Sequence, residues 1–227
     1  MNLWQDFNLN QGHTMLKWHQ YFPVYEKHFS ALRNKTITVL EIGIFKGGSL
    51  GMWGRYFGPM ATIIGIDIDP ECQQYASDNA HVRIGDQSDV NFLQSIIDEF
   101  GMPDIVIDDG SHQMNHITDS FNFLYPKISK NGIYVVEDLH TAYFEEFGGG
   151  VENEKSFINI SKHLIDKLNA DHSRGVIEPD FFTRNTFGVS FYDSMVVFER
   201  GSMPIKGMVQ SGKQKLSLPS PIYKAHP

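Results

Sequence analysis

The amino-acid sequence predicts an α/β fold in which a doubly wound, mostly parallel sheet ends in a C-terminal antiparallel hairpin. Three observations lead to this prediction. β-rich runs alternate with amphipathic helical segments from residue 36 onward, a glycine-rich turn follows the first run, and pairs of acidic residues follow two later runs. Such an alternation is typical of parallel strands whose connecting helices cover both faces of the sheet.

The composition is that of an ordinary globular protein. Of 227 residues, 41% are hydrophobic and 20% are charged, and the length fits one α/β core with added segments. The 27 acidic and 19 basic residues give a net charge of -8, which repels phosphate backbones and argues against a nucleic-acid partner. Cys72 is the single cysteine, so an intramolecular disulfide is excluded, and we expect a small buried thiol.

The sequence shows no membrane segment. No stretch approaches the ~18 apolar residues of a membrane span, and the first ten residues lack the basic and apolar regions of a secretory leader. We therefore expect a cytoplasmic protein without a membrane partner.

The first 35 residues are predicted to form helical turns that pack on the core. Pro23 should interrupt any single long helix there. We expect the aromatic run around Trp18 to belong to the core rather than to a binding surface. The main domain then extends over 36–200, and the tail at 201–227, rich in Pro, Lys and Ser, is expected to be extended and without regular structure.

The main domain is predicted element by element from its periodicity. Strands are expected at 36–42, 62–67, 82–85, 105–108 and 133–137. Helices are expected after the glycine turn 43–49 and at about 71–78, 89–100, 113–124 and 156–168. A flexible loop at 140–154 is placed like a lid, and the runs 186–191 and 195–200 are predicted to form the hairpin.

A nucleoside ligand is expected at the carboxyl ends of the first three strands, where ligands bind in doubly wound sheets. Gly43 and Gly47 would let the backbone approach a ligand, although they could equally serve a tight turn alone. Asp67 ends the second strand, where an acid accepts hydrogen bonds from ribose hydroxyls. Asp86 and Gln87 end the third strand near the expected base, and Asp86 as a simple turn residue stays an open alternative.

The spacing of the glycines separates two kinds of nucleoside ligand. A dinucleotide site requires G-x-G-x-x-G, but Phe45 stands two residues after Gly43 and obstructs a pyrophosphate. The pattern Glu41-x-Gly43-x-x-x-Gly47 instead resembles the first motif of class I S-adenosylmethionine-dependent methyltransferases, in the variant of the metal-dependent small-molecule O-methyltransferases.

A wider resemblance covers about 17–200. The runs EIGIFKGGSLGMW, IGIDIDPEC, RIGDQSD, IDDGSH and VVEDLHTAYF resemble the catalytic domain of macrolide-sugar O-methyltransferases of the mycinamicin and macrocin type, and cephalosporin-hydroxylase-like proteins share the pattern. The resemblance implies a Rossmann-like methyltransferase fold, S-adenosylmethionine as cofactor, a small-molecule acceptor and a possible homo-oligomer. The cofactor-binding residues it implies are Glu41, Gly43, Gly47, Ser49, Asp67, Asp86, Gln87 and Asp108.

Two acidic pairs follow adjacent predicted strands, Asp108 and Asp109 after the fourth, Glu137 and Asp138 after the fifth. Carboxylates that converge in one crevice repel one another unless a cation neutralises them, and an all-oxygen set suits Mg²⁺. Acids that only cap the following helices are the alternative. The resemblance implies that Asp109, Glu137 and Asp138 bind Mg²⁺, with Asp108 as support.

His112 is the candidate catalytic residue. It follows Asp109 by three residues, and we expect it in the first turn of the next helix, with Gly110 or Ser111 as the N-cap. In the resembled family this position is the proposed general base. His116 lies four residues further, the spacing of a paired metal site, but the sequence offers no third nitrogen or sulfur ligand for zinc.

The predicted function is a Mg²⁺-dependent O-methyltransferase that acts on a hydroxyl of a small molecule, a sugar of a natural product or glycan. His140 and Tyr143 could line the acceptor pocket or only pack in their loop. Two alternatives on the same fold are an NAD-binding oxidoreductase and a non-catalytic nucleoside-binding module. A nucleic-acid base methyltransferase is disfavoured by the charge.

Overall fold

A seven-stranded mixed sheet forms the centre of the computed structural model, which describes residues 1–201 and 211–212. Its strands are β1 (Ile37–Ile42), β2 (Ala61–Asp67), β3 (Ala80–Ile84), β4 (Ile105–Asp108), β5 (Ile133–Val136), β6 (Thr186–Tyr192) and β7 (Met195–Arg200). The order in the sheet is β3-β2-β1-β4-β5-β7-β6. The first five strands run parallel to one another, and β7 is antiparallel to both β5 and β6. The predicted fold class and its C-terminal hairpin are confirmed.

Seven α-helices lie in the described part of the chain. They are α1 (Leu3–Asn8), α2 (Tyr21–Phe29), α3 (Gly48–Phe57), α4 (Val90–Phe100), α5 (Met114–Leu124), α6 (Phe157–Leu168) and α7 (Phe181–Asn185). Short 3₁₀ helices cover Ser30–Leu32, Pro70–Tyr75, Tyr125–Lys127, Leu139–Tyr143, Glu145–Phe147 and Ala170–His172. The longest described helix, α6, has 12 residues, and no described helix is long and apolar enough to cross a bilayer.

Two hydrophobic layers cover the two faces of the sheet. On one face, side chains of α1, α2 and α3 pack with Val39 and Ile63. On the other, side chains of α4, α5 and α6 pack with Leu40 and Ile64. Because successive side chains of a strand point to opposite faces, strands buried on both sides read as continuous apolar runs. Every residue of β4 and β5 is buried accordingly.

Local sequence signals explain where the helices begin and end. Asp89 precedes α4 and accepts hydrogen bonds from the backbone N–H groups of Asn91 and Phe92. Gly101 ends the same helix with φ +80°, a conformation that glycine adopts without a Cβ clash. Pro23 lies in the first turn of α2, where a missing N–H costs no hydrogen bond, so the short helix accommodates the proline near its start.

The turn at the carboxyl end of β1 lies where the strand order reverses, because β2 and β3 lie on one side of β1 and β4 and β5 on the other. The crevice of doubly wound folds lies at this position. Asp108 pairs with Ile42 on one side and with Val136 on the other, which brings the residues after all three strands to one edge.

Several sequence-based boundaries were wrong. β3 begins at Ala80 rather than at 82, β5 ends at Val136, and the segment 71–78 forms a 3₁₀ helix over Pro70–Tyr75. The loop predicted at 140–154 contains 3₁₀ turns up to Phe147. The tail predicted from 201 lies outside the described residues except for 201 and 211–212.

The prediction for His112 was also wrong in its local structure. The helix α5 begins only at Met114, and its N-cap is Gln113, not Gly110 or Ser111. His112 precedes this helix and has φ +57°, a left-handed backbone conformation that is uncommon for residues other than glycine and was not predicted.

The aromatic run of the N-terminal segment divides into two sets. Tyr21, Phe22, Tyr25 and Phe29 are buried, as expected. Trp18 is 50% exposed, so the expectation that it belongs to the core was wrong.

Candidate active site

The glycine turn after β1 is shaped by contacts that leave no room for side chains. Gly43 has φ +81°, and a Cβ there would lie 2.2 Å from the backbone oxygen of Asp109. Gly47 has φ +73° and would place a Cβ 2.5 Å from the side chain of Tyr75. Both positions therefore require glycine for conformation and for packing.

Asp67, at the end of β2, binds this turn directly. Its Oδ2 accepts hydrogen bonds from the backbone N–H of Ile44 at 2.9 Å and of Phe45 at 3.3 Å. Its Oδ1 accepts one from the N–H of Asp69 at 3.0 Å. The carboxylate thus fixes the glycine turn and also lines the crevice beside it.

Three clefts lie in a row along the carboxyl edge of the sheet. We call them the glycine cleft, lined by Gly43, Asp67, Asp86, Gln87 and His116 among others; the central cleft, lined by Gly43, Phe45, Asp67, Asp109, His112 and Asp138 among others; and the tryptophan cleft, lined by Leu16, Lys17, Trp18, His19, Tyr21, Asp109, Glu137 and Asp138. The glycine and central clefts share Gly43 and Asp67. The central and tryptophan clefts share Asp109 and Asp138.

Asp86 and Gln87 have different surroundings in the glycine cleft. The Oδ1 atom of Asp86 accepts hydrogen bonds from the backbone N–H and the hydroxyl of Ser88, each at 2.8 Å, and these bonds hold the pKa of Asp86 below its usual range. Gln87 is buried, and its Oε1 accepts a hydrogen bond from the N–H of Ser111 at 2.7 Å.

Asp108 points into the core rather than into a cleft. Its carboxylate accepts hydrogen bonds from Gln87 Nε2 at 3.0 Å, Ser120 Oγ at 2.6 Å and Tyr134 OH at 3.2 Å. Burial raises the pKa of Asp108, and these hydrogen bonds oppose that rise. Asp108 therefore supports Gln87 from behind.

Asp109, His112 and Asp138 converge at the junction of the central and tryptophan clefts. One potential ligand atom from each lies within 4.8 Å of the others. His112 Nε2 lies 3.8 Å from Asp138 Oδ2, and about a fifth of each side chain is exposed, 19%, 23% and 22% respectively. Two carboxylates and an imidazole at this spacing form a donor set that a divalent cation can use.

Asp138 is held in place by a tyrosine of the N-terminal segment. The hydroxyl of Tyr21 donates to Asp138 Oδ1 at 2.6 Å and accepts a hydrogen bond from the Asp138 N–H at 3.1 Å. Asp138 has φ +53°, a left-handed conformation that is uncommon outside glycine, although aspartate adopts it more often than most other residues. Oδ2, the other oxygen, is the one nearest His112.

Lys17 is the site residue that the sequence reasoning missed. Its side chain is only 3% exposed, and its ammonium lies 2.7 Å from Asp109 Oδ2, 2.9 Å from Glu137 Oε2 and 3.4 Å from Glu41 Oε1. Burial disfavours the ammonium, but the carboxylates of Asp109 and Glu137 outweigh it and raise the pKa of Lys17 well above its usual value. The sequence did contain a signal for such a residue, because several acidic side chains converge at this end of the sheet and a basic side chain of the same chain can neutralise them.

Glu137 contacts Lys17, as Asp109 does. Besides Lys17, its carboxylate accepts a hydrogen bond from the hydroxyl of Tyr25 at 2.5 Å. The side chain is buried, which raises its pKa, while the charge of Lys17 opposes the rise. As placed, Glu137 is a partner of Lys17, and the group of three described above does not include it.

Two further predicted cofactor residues, Glu41 and Ser49, lie beneath the glycine turn. Both are buried, and Ser49 Oγ donates to Glu41 Oε2 at 2.6 Å. Their polar groups are therefore used within the protein, at the floor of the site.

The two histidines at helical spacing do not form a joint site. His116 Nδ1 lies 3.0 Å from Ser111 Oγ and faces the glycine cleft, whereas His112 faces the central cleft.

His140 and Tyr143 lie in the 3₁₀ turn after β5. His140 Nδ1 lies 2.7 Å from Ser194 Oγ, and its ring meets the ring of Trp18 edge to face, with centroids 5.3 Å apart. Tyr143 is 49% exposed. His140 thus supports the wall of the tryptophan cleft.

The chain was compared with protein families, curated proteins and solved structures. No family model matches the chain. It is 37% identical, over 196 residues, to 8-demethyl-8-(2-methoxy-alpha-L-rhamnosyl)-tetracenomycin-C 3'-O-methyltransferase of Streptomyces olivaceus, which covers 81% of this chain and 50% of that protein. It is 36% identical, over 200 residues, to mycinamicin VI 2''-O-methyltransferase of Micromonospora griseorubida, covering 81% and 48% of the two chains.

Among solved structures, MycE methyltransferase from the mycinamycin biosynthetic pathway, in complex with Mg, SAH and mycinamycin VI, superposes with a TM-score of 0.78 at 33% identity. The match covers 88% of this chain and 53% of that one. The chain therefore spans about half the length of the curated relatives it matches.

Proposed function

The chain is related in sequence and structure to the macrolide-sugar O-methyltransferases, and from this relationship we propose that it transfers a methyl group from S-adenosylmethionine to a hydroxyl of a small-molecule acceptor. The proposed acceptor is a sugar of a natural product or glycan. A divalent cation, with Mg²⁺ as first choice, is the proposed second cofactor. The comparisons lend no support to an NAD-binding oxidoreductase or a non-catalytic binding module.

One observation carries this proposal. The central cleft includes Gly43 of the glycine turn and adjoins the tryptophan cleft. Asp109 and Asp138 line both the central cleft and the tryptophan cleft. A methyl donor beside Gly43 and an acceptor beside Trp18 would therefore meet at the same two carboxylates. Methyl transfer requires this arrangement, because donor and acceptor must approach each other in line.

The cofactor is proposed to occupy the glycine cleft and part of the central cleft. Asp67 would accept hydrogen bonds from the ribose hydroxyls, as acids at the end of the second strand do in such folds. Asp86 and Gln87 lie where the base would bind. The related MycE structure contains SAH, the product form of this cofactor.

The donor atoms at the junction fit a divalent cation. Asp109 and Asp138 supply oxygen ligands at suitable spacing, and oxygen donors suit Mg²⁺. Glu137, which the family resemblance implies as a third ligand, would join only if it exchanged its contact with Lys17 for the cation. A cation held there would neutralise the carboxylates and lower the pKa of an acceptor hydroxyl.

The side chains would then orient the acceptor and move its proton. His112, beside Asp109 and Asp138, is the proposed general base that takes the proton from the acceptor hydroxyl through Nε2. Tyr21 fixes Asp138, and Lys17 fixes Asp109, so that both carboxylates are in position before the acceptor binds. The oxygen then attacks the sulfonium methyl, giving a methyl ether and S-adenosylhomocysteine.

The test is a screen of labelled methyl transfer to glycosylated natural products and glycans, with and without Mg²⁺. We expect a cation-dependent methyl ether on a sugar hydroxyl. Saturable binding of NAD with no binding of S-adenosylhomocysteine would overturn the proposal in favour of the oxidoreductase.

A further inference from the structure

We propose that Trp18 is the platform on which the sugar ring of the acceptor packs. This inference rests on the proposed function and adds the residue that positions the acceptor. It starts from the tryptophan cleft, which encloses about 470 Å³, within the range of about 300–1,000 Å³ that is common for small-molecule sites.

Trp18 belongs to a segment that holds both exposed and buried residues, and like Trp18 the residues Leu16 and His19 are exposed and line the same cleft. Trp18 is 50% exposed, while the side chain of Lys17 is 3% exposed and Tyr21 is buried. Each Å² of apolar surface that stays in water lacks the roughly 25 cal/mol of stabilising free energy that its burial would contribute. A half-exposed indole in the same cleft as Asp109 and Asp138 offers a binding surface for a ligand that is apolar on one side and polar on the other.

The position of Trp18 is fixed before any ligand arrives. Lys17, its neighbour in the chain, is tied to three carboxylates. The backbone oxygen of Trp18 accepts a hydrogen bond from the Tyr21 N–H at 3.0 Å, at the start of α2. His140, itself held by Ser194, contacts the indole edge to face. Little conformational entropy is therefore left to lose when a ligand packs on the ring.

A sugar ring matches both walls of this cleft. A pyranose presents C–H groups on its faces and hydroxyls around its rim, so an indole can cover one face while carboxylates meet the rim. Trp18, Asp109 and Asp138 line the tryptophan cleft together, and the two carboxylates also line the central cleft. A sugar on Trp18 would then direct its rim hydroxyls toward His112 and the methyl donor.

The first test uses the three tryptophans of the chain, Trp4, Trp18 and Trp53. Each gives one indole N–H signal in an amide correlation spectrum, and Trp18→Phe identifies the signal of Trp18. Methyl α-L-rhamnopyranoside is added to the protein with S-adenosylhomocysteine and Mg²⁺. We expect a saturable shift of the Trp18 signal and no comparable shift of the signal of the buried Trp53.

The second test is kinetic and has a matched control. Trp18→Ala should raise the KM for a glycoside that serves as methyl acceptor roughly three- to tenfold, the scale of one aromatic contact, with a smaller change in kcat. Trp18→Phe should recover most of the loss. The control is Phe187→Ala, which removes another exposed aromatic side chain. Phe187 lies at the end of the sheet where the parallel strands begin, away from the clefts, because its neighbour Gly188 pairs with Glu199 and Glu199 pairs with Ile133 at the start of β5. Its KM should stay unchanged.

The outcomes separate this inference from the proposed function. Glycoside binding, seen by saturation transfer to the sugar, with an unmoved Trp18 signal and an unchanged KM in Trp18→Ala would overturn the platform and leave the methyltransferase intact. A shifted Trp18 signal without methyl transfer to any glycoside would support the platform and overturn the proposed reaction. No glycoside binding at all would overturn the platform.

Discussion

Lys17 and Asp109 are 92 residues apart in the chain, and the ammonium of one lies 2.7 Å from the carboxylate of the other. The same ammonium contacts Glu137 and Glu41, so one buried lysine connects the N-terminal segment to the ends of β1, β4 and β5. The acidic edge of the sheet therefore carries its own permanent cation beside the proposed metal site.

Loss of this cation should be costly to stability. Lys17→Met leaves buried carboxylates without their partner, and we expect the free energy of unfolding to fall by about 3–5 kcal/mol, with a smaller loss for Lys17→Arg. Urea denaturation measures both. Lys35→Met, at an exposed position, is the control and should change little. Equal stability of Lys17→Met and the control would show that the buried contacts contribute nothing.

The glycine turn provides a second, sterically defined prediction. Gly43 and Gly101 have nearly the same φ, +81° and +80°, but a Cβ at Gly43 would lie 2.2 Å from a backbone oxygen, whereas none lies within 4 Å at Gly101. Alanine at either site carries the same backbone strain. Gly43→Ala should therefore lose about 1–3 kcal/mol more than Gly101→Ala in urea denaturation, the usual cost of overpacking. A smaller loss for Gly43→Ala would contradict the close contact.

Asp67 is expected to contribute to cofactor binding both by contact and by holding the turn. Asp67→Ala should weaken S-adenosylhomocysteine binding about ten- to hundredfold by calorimetry, since it removes a half-buried charged acceptor whose hydrogen bonds are worth about 1–3 kcal/mol. Asp89→Ala, which removes the N-cap of α4, should lower stability and leave the affinity unchanged. If both variants bind equally well, Asp67 has no role in the cofactor site.

Methyl transfer should stop in chelator and return with Mg²⁺. Loss of a supporting partner alone often lowers metal affinity 10–100-fold, so Asp138→Asn should weaken Mn²⁺, a paramagnetic probe of the site, by at least about tenfold in spin-resonance titrations. Asp166→Asn, on the exposed side of α6, is the control. Full activity in chelator would remove the cation from the mechanism.

His112 can be tested as a base and as a ligand in one experiment. As the general base, His112→Ala should lower turnover roughly 10²–10⁴-fold while Mn²⁺ and S-adenosylhomocysteine bind as before. A matching fall in Mn²⁺ affinity would instead make His112 a metal ligand, which its place in the group with Asp109 and Asp138 permits. His163→Ala, at an exposed position of α6, controls for histidine loss.

The sequence allowed the sheet to be predicted because its strands are apolar runs with clear ends. β4 matched the prediction at both ends, and the parallel order was enough to place Asp109 and Glu137 side by side. Lys17 could not be found in this way, since lysine is seldom buried and its partners are 24, 92 and 120 residues away.

Two other features depend on tertiary contacts rather than on local preference. His112 has a left-handed backbone and lines the central cleft, but only a small fraction of histidines adopt positive φ, so the sequence does not predict it. Trp18 directly follows Lys17, whose side chain is buried, and the indole of Trp18 is half exposed. Because the burial of Lys17 was not predicted, the exposure of Trp18 could not be predicted either.

The contact between Gly43 and the backbone of Asp109 joins two binding events. With no space between them, any displacement of the glycine turn by an entering cofactor must move the strand end that carries a proposed metal ligand. Thermodynamic linkage then requires that the cofactor and the cation change each other's affinity by the same factor. We therefore expect the cofactor and the cation not to bind independently. The affinity of each should change when the other is bound, whichever of them is added first.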